Sequence, residues 1–148
     1  MRCLMKIVQR IFIGQGIIVV HFYDDNFMPH IHLEYSDNLQ PFDARPVLEA
    51  LNRAFFASGY VNSALDIKSR AVCQQVYVVG LEQDHKQAYM HIKVSLLTGR
   101  SIAIQKEISA LLLKVLQENV TVPVGLSIQM CVEMLEMNKE TYSKQIVE

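Results

Sequence analysis

The chain has 148 residues, 51% of them hydrophobic, and no low-complexity tract, which fits one folded domain with a sizeable core and excludes a disordered segment. Its formal net charge is −1, so no global basic field points to nucleic acid, and an anion site must be built from a few local cations. The cysteines Cys3, Cys73 and Cys131 are odd in number and widely spaced. They match neither a zinc spacing nor a disulfide framework, and two fall in strand-like runs that favour buried thiols in a reducing cytoplasm.

Residues 1–27 differ in texture from the rest. Arg2, Lys6 and Arg10 precede an apolar stretch from Ile11 to Val20, the outline of a signal peptide. Gly14-Gln15-Gly16 interrupts that stretch, and His21-Phe22-Tyr23-Asp24 stands where small residues should mark cleavage. It is too short and broken to span a bilayer. Gly16 to Tyr23 has the β-branched content of an extra strand. The expectation is an N-terminal extension over 1–27, either upstream sequence ahead of a misassigned start, which is favoured, or a non-native lead, followed by the functional domain over 28–148.

From Met28 the chain reads as two similar units. Ile31, Leu33 and Tyr35 alternate with His30, His32 and Glu34, the period of a strand with two distinct faces. Asp43 is placed to cap a helix, and Pro46 is tolerated in its first turn. Val47, Leu48, Leu51 and Phe55 then recur at helical spacing up to Ser58-Gly59, a plausible stop. A second strand, rich in Val and Ile, is predicted from about Leu65 to Val79.

The second unit repeats this plan. Met90, Ile92, Val94 and Leu96 alternate with Tyr89, His91, Lys93 and Ser95, and Thr98-Gly99-Arg100-Ser101 turns the chain into a helix with Ser101 as its cap. Ile104, Ile108, Leu111, Leu112 and Val115 form the apolar face of that helix, and Pro123 and Gly125 punctuate its end. Leu126, Ile128, Met130, Val132 and Met134 lie on one side of a last strand. The expected fold is α+β, with an α/β repeat: two fused βαβ units sharing one four-stranded sheet with both helices on one face. The strands carry more apolar residues than one helix layer is expected to hide, which predicts an oligomer.

Met28-Pro29 is the point of greatest chemical interest. If translation starts at Met28 and the Met is removed, Pro29 presents a secondary amine able to act as a base. Inside the chain the same nitrogen is a tertiary amide with no proton to exchange. An internal proline opening a strand also reads as plain punctuation.

The run Met28-Pro29-His30-Ile31-His32-Leu33-Glu34-Tyr35-Ser36-Asp37-Asn38 resembles the start of the 5-carboxymethyl-2-hydroxymuconate isomerase family of the tautomerase superfamily. Ile67-Lys68-Ser69-Arg70 is similar to the family's basic-Ser-Arg stretch. Ala88-Tyr89-Met90-His91-Ile92 and Gly99-Arg100-Ser101 are similar to its third strand and the turn after it. The resemblance covers Met28 to about Glu136. It implies a homotrimer of tautomerase-like fold that uses neither cofactor nor metal. It also implies double-bond isomerisation of an unsaturated 2-hydroxy or 2-oxo acid with two or three carboxylates, in homoprotocatechuate breakdown, with Pro29 as the acid/base.

Such a reaction needs a group that removes a proton and returns it elsewhere, and cations to hold the developing dienolate. Arg100, after Gly99 at a helix start, is the candidate carboxylate clamp, its planar fork matching a carboxylate; a solvated turn arginine is the plainer alternative. Lys68 and Arg70, two apart and hence on one strand face, are candidates for gripping a second carboxylate, or an ordinary exposed strand edge. His30-x-His32 with Glu34 has the look of a metal-ligand pattern, but hydrogen-bonded histidines on the polar face of a strand explain it as well, and no metal site is assigned to them. The alternative to an isomerase is a non-catalytic trimeric protein on the same scaffold that binds small anions, its Pro29 covered by the extension. Neither reading requires nucleic acid or a membrane.

Overall fold

The computed structural model describes the backbone of residues 7–13 and 16–22 and the complete residues 28–81 and 85–146. Strands β1 (Ile7–Ile13) and β2 (Gly16–Phe22) pair antiparallel as a hairpin. An extra strand is thus present over most of the expected Gly16–Tyr23 stretch, together with a partner strand that composition did not suggest. Cys3 and Tyr23 lie outside the described residues.

From Met28 onward the order is β3 (His30–Ser36), α1 (Ala44–Ala57), β4 (Lys68–Gln74), β5 (Gln87–Leu97), α2 (Ile102–Asn119) and β6 (Ser127–Met137). These strands form one mixed sheet in the order β4-β3-β5-β6. Each βαβ unit contributes a parallel pair, β3 with β4 and β5 with β6, and the units join through antiparallel β3 and β5. This is the predicted four-stranded sheet. Both helices pack against each other and onto the sheet.

Local chemistry explains the helices. Asp43 accepts a hydrogen bond from Arg45 N, and Ser101 accepts one from Ile104 N, each cap being worth about 1 kcal/mol. Val47, Leu51 and Phe55 point from α1 into the core, and Ile108, Leu112, Val115 and Leu116 do so from α2. The sheet supplies Ile31, Leu33, Tyr35, Ala88, Met90, Ile92, Val94 and Leu96. The core cluster and the side chains packed on it run from Ile31 to Met134, so the chain from Met28 onward carries the core among the described residues.

Three expectations need correction. The second strand of the first unit ends at Gln74 and does not reach Val79. Its partner β3 stops at Ser36, which pairs with Gln74, so no ladder remains for Val76 and Val78, and both are exposed. At the other end, Leu65 lies in a 3-10 turn at Ala64–Asp66 capped by Ser63.

The uncovered sheet face is also not apolar. Alternation sends the apolar residues of β3 and β5 under the helices and leaves His30, His32, Glu34, Tyr89, His91, Lys93 and Ser95 on the other side. That face is tied by Lys93 to Glu34 at 2.8 Å and by His91 to Glu133 at 3.1 Å. Val72 and Leu135 are the large aliphatic side chains exposed there. Excess apolar surface therefore gives no reason for an oligomer. Finally, Cys131 is exposed, because β6 turns its odd-numbered positions to this face, whereas Cys73 is half-buried.

Candidate active site

One end of the sheet gathers the predicted residues. Because β3 runs antiparallel to β5 and parallel to β4, the starts of β3 and β4 lie beside the ends of β5 and β6. Pro29 and Met28 sit at that end, both buried. The Pro29 carbonyl accepts a hydrogen bond from Lys68 N at 3.1 Å, which fixes the proline against the first residue of β4. Lys68 is opposite His30 and Arg70 is opposite His32, so both cations lie on the uncovered face. Arg70 is the more exposed of the two.

Arg100 reaches the same end by way of the turn after β5. Gly99 has φ +114° with open space around its α-carbon, so a side chain there would be opposed by backbone conformation rather than by a clash. That turn delivers Arg100 half-buried, with Nη1 donating to Leu97 O at 3.4 Å. Burial lowers its pKa, but a guanidinium remains charged. Gln105 secures the turn by donating to Arg100 O at 3.3 Å and to Glu136 Oε1 at 3.1 Å.

Sequence reasoning missed the C-terminal segment and Asp66. Thr98 N donates to Met137 O at 2.9 Å, a turn follows at Asn138–Thr141, and the chain runs back to the start of β3. There Tyr142 Oη lies 3.1 Å from His30 Nε2, and Lys144 Nζ donates to Asp66 Oδ1 at 2.9 Å. The only signal in the sequence was the mixed Lys, Glu and Tyr content of the last dozen residues, which names no partner.

The local field is positive. Burial lowers the Lys68 pKa, and the Lys144 charge lowers it further against the opposing pull of Asp66. Its Nζ donates to Asp66 O at 3.1 Å. Burial likewise holds His30 below the ordinary imidazole range, helped by Arg70, Lys68 and His32. His32 is lowered by burial, Arg70 and Lys93, with Glu34 opposing. Among the described residues, no group of three or more His, Cys, Asp or Glu side chains is placed to hold a metal ion.

The histidine shifts have a definite sign. With folded pKa values below the unfolded 6.5, the unfolded chain takes up protons first as pH falls through 6.5, so stability declines from there down to the folded pKa values and is level above 6.5. The thermal midpoint of the protein should drop between pH 7.5 and pH 5.5, and it should drop less in His30→Gln/His32→Gln. Equal drops in the two proteins would show that these imidazoles are not the cause.

The fold, together with the family profile over most of the chain, defines a tautomerase-superfamily protein. The chain belongs to the 5-carboxymethyl-2-hydroxymuconate isomerase family, whose profile matches residues 29–146. A 5-carboxymethyl-2-hydroxymuconate isomerase from Deinococcus radiodurans R1 superposes with a TM-score of 0.70 at 23% identity, covering 81% of this chain and 90% of that one. A 5-carboxymethyl-2-hydroxymuconate delta-isomerase gives 0.70 at 16% identity, covering 83% and 91%. A fused 4-OT solved as a symmetric trimer gives 0.58 at 15% identity, covering 75% and 87%. Curated protein sequences give no match. No described helix is long and apolar enough to cross a membrane.

Proposed function

We propose that the protein is a cofactor-independent isomerase that shifts a double bond in an unsaturated 2-hydroxy or 2-oxo acid with two or three carboxylates, 5-carboxymethyl-2-hydroxymuconate being the substrate suggested by its family. The observation that carries this reading is Pro29. It stands directly after a methionine, opens the strand beside Lys68, and coincides with the first residue of the family match. We take 28–148 as the catalytic unit, with 1–27 as upstream sequence.

As a free secondary amine, Pro29 removes a proton from the substrate's 2-hydroxyl or its acidic carbon. Electrons move along the conjugated system, and the resulting ammonium returns the proton at the far carbon. The negative charge of the dienolate falls on the carboxylate side, where Arg100, Lys68 and Arg70 are the proposed cations. Neighbouring ammonium groups favour the neutral amine between turnovers.

The test is turnover of phenylenolpyruvate by a chain that begins at Pro29. Keto-enol conversion above the buffer rate is expected. Its absence in protein whose intact mass shows a free Pro29 would overturn the reading. We also propose that this form is a homotrimer, on the strength of the trimeric relative. Light scattering at micromolar concentration should give three times the chain mass, and a monomer would remove that claim. One observation favours the anion-binding alternative for the unprocessed chain: Met28 is 2% exposed and blocks the nitrogen.

A further inference from the structure

The cation at the C-terminus lies closer to the reacting nitrogen than its distance in sequence suggests. Lys144 Nζ is 3.3 Å from Met28 Sδ and 2.9 Å from Asp66 Oδ1. The Met28 carbonyl carbon is bonded to Pro29 N, and four bonds separate that carbon from the sulfur. The Lys144 ammonium therefore lies within about 10 Å of the Pro29 nitrogen. A short acid can bridge that span.

The setting is built to hold an anion. The Lys144 and Asp66 side chains are 27% and 23% exposed, so the ammonium has lost much of its water. Asp66 satisfies one of its three N–H donors, and the Met28 thioether is a weak acceptor. Lys68 faces the same carboxyl-bearing residue, its Nζ donating to the Asp66 carbonyl. The Asp66 carboxylate is held by Lys144 while Lys68 takes the backbone oxygen, so two ammonium groups lie around one carboxylate and leave a net positive charge. Tyr142, bonded to His30, pins the segment two residues before Lys144. Removing Met28, which is almost fully enclosed, leaves a recess with the proline nitrogen on one side and Lys144 on the other.

We propose that Lys144 is a substrate-binding residue, its ammonium taking one carboxylate of the oxo acid in the space that Met28 vacates. This rests on the reading of Pro29 as a free terminus. Asp66 is the positioning residue that aims the ammonium. Binding through Lys144 is selective for an acid with a second carboxylate, because a carboxylate accepts from the N–H donors that Asp66 does not reach, which an ester does only weakly.

Calorimetric titration with 2-oxoglutarate and with its dimethyl ester, on chains that begin at Pro29, tests the assignment without relying on turnover. Lys144→Gln and Lys144→Met should raise the diacid Kd about tenfold or more. Lys144→Arg should restore most of the loss, which a general disturbance of the tail would not allow. The ester should show no comparable change. An unchanged diacid Kd in both neutral variants, or no diacid binding by the parent chain, overturns the proposal. Diacid binding that depends on Lys144 in a chain without tautomerase turnover upholds the Lys144 site and removes the Pro29 mechanism. Turnover with Lys144-independent diacid binding does the reverse.

Discussion

A chain that retains Met28 should tautomerise phenylenolpyruvate about 10³-fold more slowly than one that begins at Pro29, the scale expected for loss of a positioned acid/base group. The amide nitrogen shares its lone pair with the Met28 carbonyl and cannot accept a proton near neutral pH. No cation nearby can restore that lone pair. Access is blocked as well, because Met28 is enclosed and touches Lys144. The full 148-residue chain should therefore be as inert as the chain extended by Met28 alone. Initial rates, with intact mass recorded for each protein, check this. Equal rates from an unprocessed chain would show that Pro29 is not the base.

Arg100→Ala should lower kcat/KM for an oxo-diacid by about 100-fold, the effect expected on removing one preorganised partner of developing charge. The thermal midpoint should move by no more than about 4 °C. Arg100 makes a long hydrogen bond to Leu97 O from a half-buried position, so its removal leaves no large cavity. The turn keeps its own supports in Gly99, the Ser101 cap and Gln105. Arg100→Lys should recover little, because a single ammonium cannot reproduce the bidentate fork. Unfolding of the alanine variant would assign the side chain to the fold instead of the substrate.

What was legible in the sequence was local. Asp43 and Ser101 cap the helices they were expected to cap, since a cap depends on residues two or three positions away. The alternation in β3 and β5 marks their buried face because strand geometry has period two. The length of β4 was misread because strand ends are set by the partner strand, and nothing between residues 75 and 79 reveals that β3 stops at Ser36. The uncovered face was misjudged because the apolar set, although assigned to one face of each strand, was taken to exceed what two helices cover, a capacity set by tertiary packing that the sequence does not display. Pro29, Lys68 and Arg100 reach one end of the sheet only through its pairing order. Contacts such as His30 with Tyr142, 112 positions apart, leave no trace in composition or periodicity.

The near-symmetry of the two βαβ units has a consequence for stoichiometry. Antiparallel pairing of β3 with β5 relates one half of the sheet to the other by an approximate twofold rotation, which carries the Pro29 end of β3 onto the Gln87 end of β5. Those two ends face opposite edges of the molecule. A free amine can form only where a chain begins, and β5 is entered from Lys86 through an unbroken backbone. Joining two halves in one chain therefore makes their ends chemically unequal: the nitrogen before β3 is an amine in any chain that begins at Pro29, while the one before β5 stays a peptide nitrogen in every case.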